Sequence, residues 1–124
     1  SLFSPYREAG RFEAFDDDRE LVAGIRAVAT PGHTPGHTSY LVESNGRKLL
    51  VLGDLILVSA VQMGRPYLES SFDADRPGGA AQRLRILTLA ADEGYLVAGS
   101  HLAFPGVGHI RRAAGAFEWA PIRN

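Results

Sequence analysis

Apolar and polar positions alternate early in the chain. In "GIRAVAT", residues 24–30, Ile25, Ala27 and Ala29 alternate with Arg26, Val28 and Thr30, the period of two that predicts a strand. Before it, residues 1–10 read as loop or sheet edge, "RFEAF" reads as a short strand, and "DDDRE" as a solvated turn. "TSYLVES" and "RKLLVLGD" are two further strand-type runs joined by Asn45-Gly46, a strong hairpin signal. Within the second, "LLVL" is continuously apolar, which predicts burial on both faces. The period then changes. Ala80, Leu84, Leu87 and Ala91 form one helical stripe, with Asp73 or Asp75 as the capping residue and Gly94 as the stop. "YLVAGSH" is another buried strand ending in His101, "FPGVGHI" a turn, and "AFEWAPI" a last short strand. The predicted architecture is one α/β or α+β layer with a single main helix.

Composition narrows the function classes. The chain has 124 residues, 45% of them hydrophobic and 22% charged, which suits one globular domain or part of a larger one. A net charge of −1 without a basic stripe argues against nucleic acid as a partner. The most apolar run, "KLLVLGDLILVSA", is interrupted at Gly53 and Asp54 and falls short of the ~18 residues of a membrane helix, so no membrane partner is expected. The first residues lack the basic start and apolar stretch of a signal peptide. With no cysteine in the chain, this favours the cytoplasm. Without cysteine, any metal must rest on nitrogen and oxygen donors, which suits zinc, iron, manganese or cobalt.

The chemistry concentrates at three strand ends. "TPGHTPGH", residues 30–37, repeats one tetrapeptide and presents His33 and His37 on backbone that proline and glycine constrain. Such rigidity suits a metal site, whose ligand distances tolerate small errors only. A well-made turn with incidental histidines is the competing reading, and His37 has a further role open to it in steadying the turn by hydrogen bonds. Asp54 follows a buried apolar strand and needs either a partner, for which a metal is suited, or a helix end to cap. His101 after "LVAGS" poses the same choice, whereas His109 reads as a hydrogen-bonded loop histidine. His33, Asp54 and His101 each follow a strand-like run, so a shared sheet would bring them to one edge. Arg83 and Arg85 read as solvated helix surface. Phe72, Phe104 and Trp119 read as core, with a pocket lining as the alternative for Phe104. There is no G-x-S-x-G elbow and no phosphate loop.

Taken together, "TPGHTPGHTSYLV", "LLVLGDLI" and "VAGSHLAFPGVGHI" resemble the metallo-β-lactamase superfamily, in particular its methyl parathion hydrolase-like, lactonase and esterase branches. The resemblance runs from about Phe12 to the C-terminus and covers the C-terminal half of the family's αββα sandwich. It implies a metal-dependent hydrolase acting on an ester, lactone or organophosphate through a metal-bound hydroxide. By that likeness His33 is a ligand of one metal, Asp54 bridges two and is the catalytic carboxylate, and His101 completes the second. Phe104 lies near the pocket, while His37 and His109 support the site. The implied cofactor is a divalent metal, zinc foremost, two per complete site. The family's His-x-His-x-Asp-His motif has no counterpart here, so at most one metal is expected to be held weakly and the isolated chain is expected to be inactive. The implied partners are a small-molecule substrate and either the missing N-terminal half or a second copy. The rival reading is a non-catalytic half-domain serving assembly or binding, as a homodimer or as one chain of a split enzyme.

Overall fold

The computed structural model describes residues 2–123. Seven strands form one sheet in sequential order: β1 (Arg19–Val22), β2 (Ile25–Ala29), β3 (Thr38–Ser44), β4 (Arg47–Val51), β5 (Leu96–Ala98), β6 (Val107–Ala113) and β7 (Ala116–Pro121). Neighbours are antiparallel except β4 and β5, which run parallel. A parallel pair needs a long crossover, and here it contains a 3-10 turn (Gly53–Leu55), the short helix α2 (Ser59–Gln62) and the main helix α3 (Arg76–Glu93); a further short helix, α1 (Ser4–Glu8), precedes β1. This mixed sheet with one main helix is the partial sandwich that the resemblance implied.

Local chemistry explains most element ends. The β3–β4 hairpin turns at Asn45 and Gly46, both with positive φ (50° and 71°), the backbone that a two-residue turn between twisted strands demands. Asp75 caps α3 by accepting the Gly78 N–H at 3.0 Å, and Gly94 ends the helix in the left-handed conformation. Of the two candidate caps, Asp75 fills the role.

Helix α3 covers one face of the sheet. Val28, Leu50, Leu52, Val97, Ile110 and Phe117 meet Ile86, Leu87 and Ala90 there. In β4 the alternation is plain: Leu50 is fully buried, while Leu49 and Val51 on the opposite side are half-covered. "LLVL" is therefore buried on one face, because only one helical layer is present. Across the other face, Val42, Leu49, Leu96 and His109 fall in one cross-strand row and Tyr40, Val51, Ala98 and Val107 in the next, none of them buried.

Several expectations are corrected. "RFEAF" forms no strand, and the first strand begins instead at Arg19, after the three aspartates, since only there can the chain pair with β2. Residues 4–8 are helical rather than loop. The buried stripe of α3 is Gly79, Ala80, Arg83, Ile86, Leu87 and Ala90, so Leu84 is exposed and Arg83 is inside. Phe72 and Phe104 are exposed rather than core. His109 lies within β6, not in a loop, and His101 stands three residues beyond the end of β5. Among the described residues, no helix is long and apolar enough to cross a membrane.

Candidate metal centre

Because β2 and β4 flank antiparallel β3, they run in the same direction, and β5 runs with β4. Their C-terminal ends therefore share one sheet edge, where the turn carrying His33, the 3-10 turn carrying Asp54 and the loop carrying His101 converge. His33 Nε2 lies 3.7 Å from Asp54 Oδ2, and His101 Nε2 lies 3.3 Å from Asp54 Oδ1. One carboxylate thus stands between two imidazoles, each of its oxygens facing a different ring. Roughly half of each of the Asp54 and His101 side chains faces solvent, whereas His33 is more enclosed. Among the described residues, no three histidine, aspartate or glutamate side chains form a single metal cage. The donors instead make two pairs that share Asp54. Asp54 caps no helix.

The doubled tetrapeptide divides its histidines between two tasks. His37 Nε2 accepts the backbone N–H of Asp54 at 3.0 Å, so its proton sits on Nδ1. That nitrogen lies 2.8 Å from Thr30 Oγ1 and 3.2 Å from the Thr30 carbonyl. Thr30 Oγ1 in turn contacts Ser39 Oγ at 3.3 Å, and the Ser39 hydroxyl donates to the Leu52 carbonyl at 3.1 Å. A chain of hydrogen bonds therefore joins the two turns from beneath and holds the backbone of Asp54. Burial lowers the His37 pKa below the ordinary histidine value, outweighing the bond to Thr30 that acts the other way. The neutral ring that can accept from Asp54 is the form the site favours.

The turn of His33 is seated on the start of α3. Asp75 N–H donates to the Gly32 carbonyl at 2.9 Å and Ala74 N–H to the His33 carbonyl at 3.2 Å. Gly32 has φ +150°, and a Cβ there would fall on backbone atoms of Gly79, so the contact needs glycine on the turn. His33 Nδ1 lies 3.3 Å from Asp73 Oδ1. Asp73 is itself buried and receives Arg83 Nη2 at 3.0 Å. Sequence reasoning missed both residues as parts of the site. Asp73 read as one of two capping candidates rather than as a partner of His33, and Arg83 carried no local sign of being inside.

Two other expected residues take no part in these hydrogen bonds and ion pairs. His109 Nδ1 bonds the Tyr95 carbonyl at 3.1 Å on the uncovered sheet face. Phe104 follows the His101 turn with its ring in solvent.

The metallo-beta-lactamase superfamily profile matches residues 2–101. An N-acyl homoserine lactonase from Bacillus sp is 30% identical over 76 residues, which is 60% of this chain and 30% of that protein. A hydrolase of the beta-lactamase superfamily, AbOPH, superposes with TM-score 0.87 at 33% identity, covering 98% of this chain and 42% of that one. A dizinc quorum-quenching lactonase, AidC, solved with a product, gives TM-score 0.84 at 30% identity over 94% of this chain and 40% of its own. The chain thus spans less than half the length of these relatives.

Proposed function

The chain belongs to the metallo-beta-lactamase superfamily, and on that premise we propose that it forms part of a metal-dependent hydrolase acting on a lactone, ester or organophosphate. The single observation that carries this reading is the Asp54 carboxylate set between His33 and His101, one oxygen toward each ring. The donor chemistry fits divalent cations: imidazole nitrogen and carboxylate oxygen suit zinc and its first-row neighbours. His33 with Asp54 would serve one position, and Asp54 with His101 the other. With two donors per position, this reading is consistent with the lack of a three-ligand cage among the described residues. When bound, a pair of divalent cations supplies Lewis acidity to the substrate oxygen and an activated water.

The chain's own residues supply placement. The His37–Thr30–Ser39 hydrogen bonds hold the backbone of Asp54, and the half-exposed Asp54 and His101 leave the approach open to a substrate. That two of the relatives are lactonases favours a lactone among the three substrate classes. The remaining donors are supplied by sequence outside these 124 residues. The uncovered apolar sheet face is the surface on which a second sheet layer packs to complete the sandwich. The same face favours a second reading, a non-catalytic half-domain that pairs with another copy.

Elemental analysis beside intact mass separates the readings. The natural protein is expected to carry about two metals per site. Asp54→Ala should lose most of it, because that carboxylate serves both positions, and His33→Ala and His101→Ala should each lose about one equivalent. Stoichiometric metal retained by all three variants sinks the site assignment. Absence of metal from a protein whose mass matches 124 residues favours the half-domain.

A further inference from the structure

Arg83 is the largest fully buried side chain among the described residues, at 1% exposure, in a helix where its neighbours Leu84 and Arg85 face solvent. Burying a guanidinium is costly unless its N–H groups are met and its charge paired. Both conditions hold. Nη2 donates to Asp73 Oδ2 at 3.0 Å, Nη1 to the carbonyls of Leu68 at 2.9 Å and Pro66 at 3.3 Å, and Nε to the carbonyl of Leu55 at 3.0 Å. Two of these four bonds lead to the candidate site. The Leu55 carbonyl belongs to the residue after Asp54. Asp73 uses its other oxygen on His33 Nδ1 at 3.3 Å.

We propose that Arg83 and Asp73 are a positioning unit for the site, a single buried guanidinium setting the His33 ring, through Asp73, in register with the turn that carries Asp54. The inference rests on the metal-site reading above but makes its own claim about His33. With Asp73 Oδ1 as acceptor, the neutral His33 ring keeps its proton on Nδ1. Its Nε2 lone pair then faces Asp54 and the position a cation would take. A histidine ligand whose second nitrogen is held by a carboxylate is oriented and made a better donor. A lysine at position 83 could not do the same work. Its single ammonium cannot reach Asp73, Leu55 and Leu68 from one fixed plane.

The test is long-range proton–nitrogen correlation on the 15N-labelled, metal-free natural protein, about two pH units above the ordinary histidine pKa of ~6.5. His33 is expected as the Nδ1–H tautomer, and the Nε2–H tautomer overturns the proposal without any variant. The second measurement is Zn²⁺ affinity by chelator competition in Arg83→Lys and Asp73→Asn. Affinity should fall about 10- to 100-fold, with the His33 tautomer signal mixed and the His37 signal, tied to Asp54 N–H, unchanged. Unaltered affinity and an unaltered His33 signal in a folded variant reduce Arg83 to a structural role and refute the coupling. Should one variant fail to fold, the other carries the same test, and the unsubstituted protein still reports the tautomer. An Nδ1–H His33 in a protein that binds no Zn²⁺ would instead remove the metal reading and leave the placement of His33 standing.

Discussion

The two glycines of "TPGHTPGH" offer the sharpest test of how the turn is built, because their local sequences are the same. Gly32 is buried with φ +150°, and a Cβ built on it comes well inside 3.0 Å of the Gly79 backbone. Neither side can yield cheaply, since the obstacle is the first turn of α3 rather than a flexible side chain. Gly36 is exposed, has no positive φ, and a Cβ there meets nothing within 4 Å. For Gly32→Ala, the strained backbone costs about 1–3 kcal/mol and the forced separation from α3 about 1–3 kcal/mol more. Together they remove about 2–6 kcal/mol of a total that is about 5–15 kcal/mol for a typical domain. At roughly 4 °C per kcal/mol for a chain of this size, Tm should drop by about 8–24 °C. Gly36→Ala should be neutral or add up to about 1 kcal/mol, because alanine narrows the unfolded ensemble at an unstrained position. Urea unfolding followed by circular dichroism, run on both variants side by side, gives the difference directly. Variants that agree within about 1 kcal/mol would refute the seating of the first tetrapeptide on α3.

Other consequences follow from the same structure. Leu50→Ala should cost about 2–5 kcal/mol in denaturant melts, and Leu49→Ala less than half as much while its face is bare; equal costs would show that face to be covered in solution. Asp75→Ala removes the α3 cap and should lower stability by about 0.5–2 kcal/mol, read from the same melts. The Arg112 hydrogen bond holds the Asp92 carboxyl below its ordinary value, so the pair stabilises the fold above pH 3.8 and stops doing so as pH falls through the depressed value. Both groups are at the surface, so Asp92→Asn should lower Tm slightly at neutral pH and low salt, and not in acid or in high salt; a larger loss in acid would contradict the sign.

Much of the outline was legible along the chain. The β2, β3 and β4 strands, the Asn45-Gly46 turn, the Asp75 and Gly94 helix ends and the three strand-end residues were visible because each depends on local conformational preference or on a period of two or 3.6 residues. "RFEAF" had the right pattern, but alternation makes a strand only where a neighbour offers its hydrogen bonds, and β2 offers them to residues 19–22 instead. On α3 the predicted Ala80, Leu87 and Ala91 do face the core, but Leu84 does not, because a stripe of leucines and alanines does not reveal that an arginine will be buried by an aspartate ten residues upstream. The sequence by itself determined which residues carry nitrogen and oxygen donors at the strand ends and which turns would be stiff enough to present them. Only the tertiary structure decided that His33 faces the Asp54 side chain while His37, in an identical tetrapeptide, holds its backbone. The physical reason is that local sequence governs φ and ψ over a few bonds, whereas the aim of a side chain is set by what packs behind it. Here that is the start of α3, and the buried Arg83 that ties it to both turns.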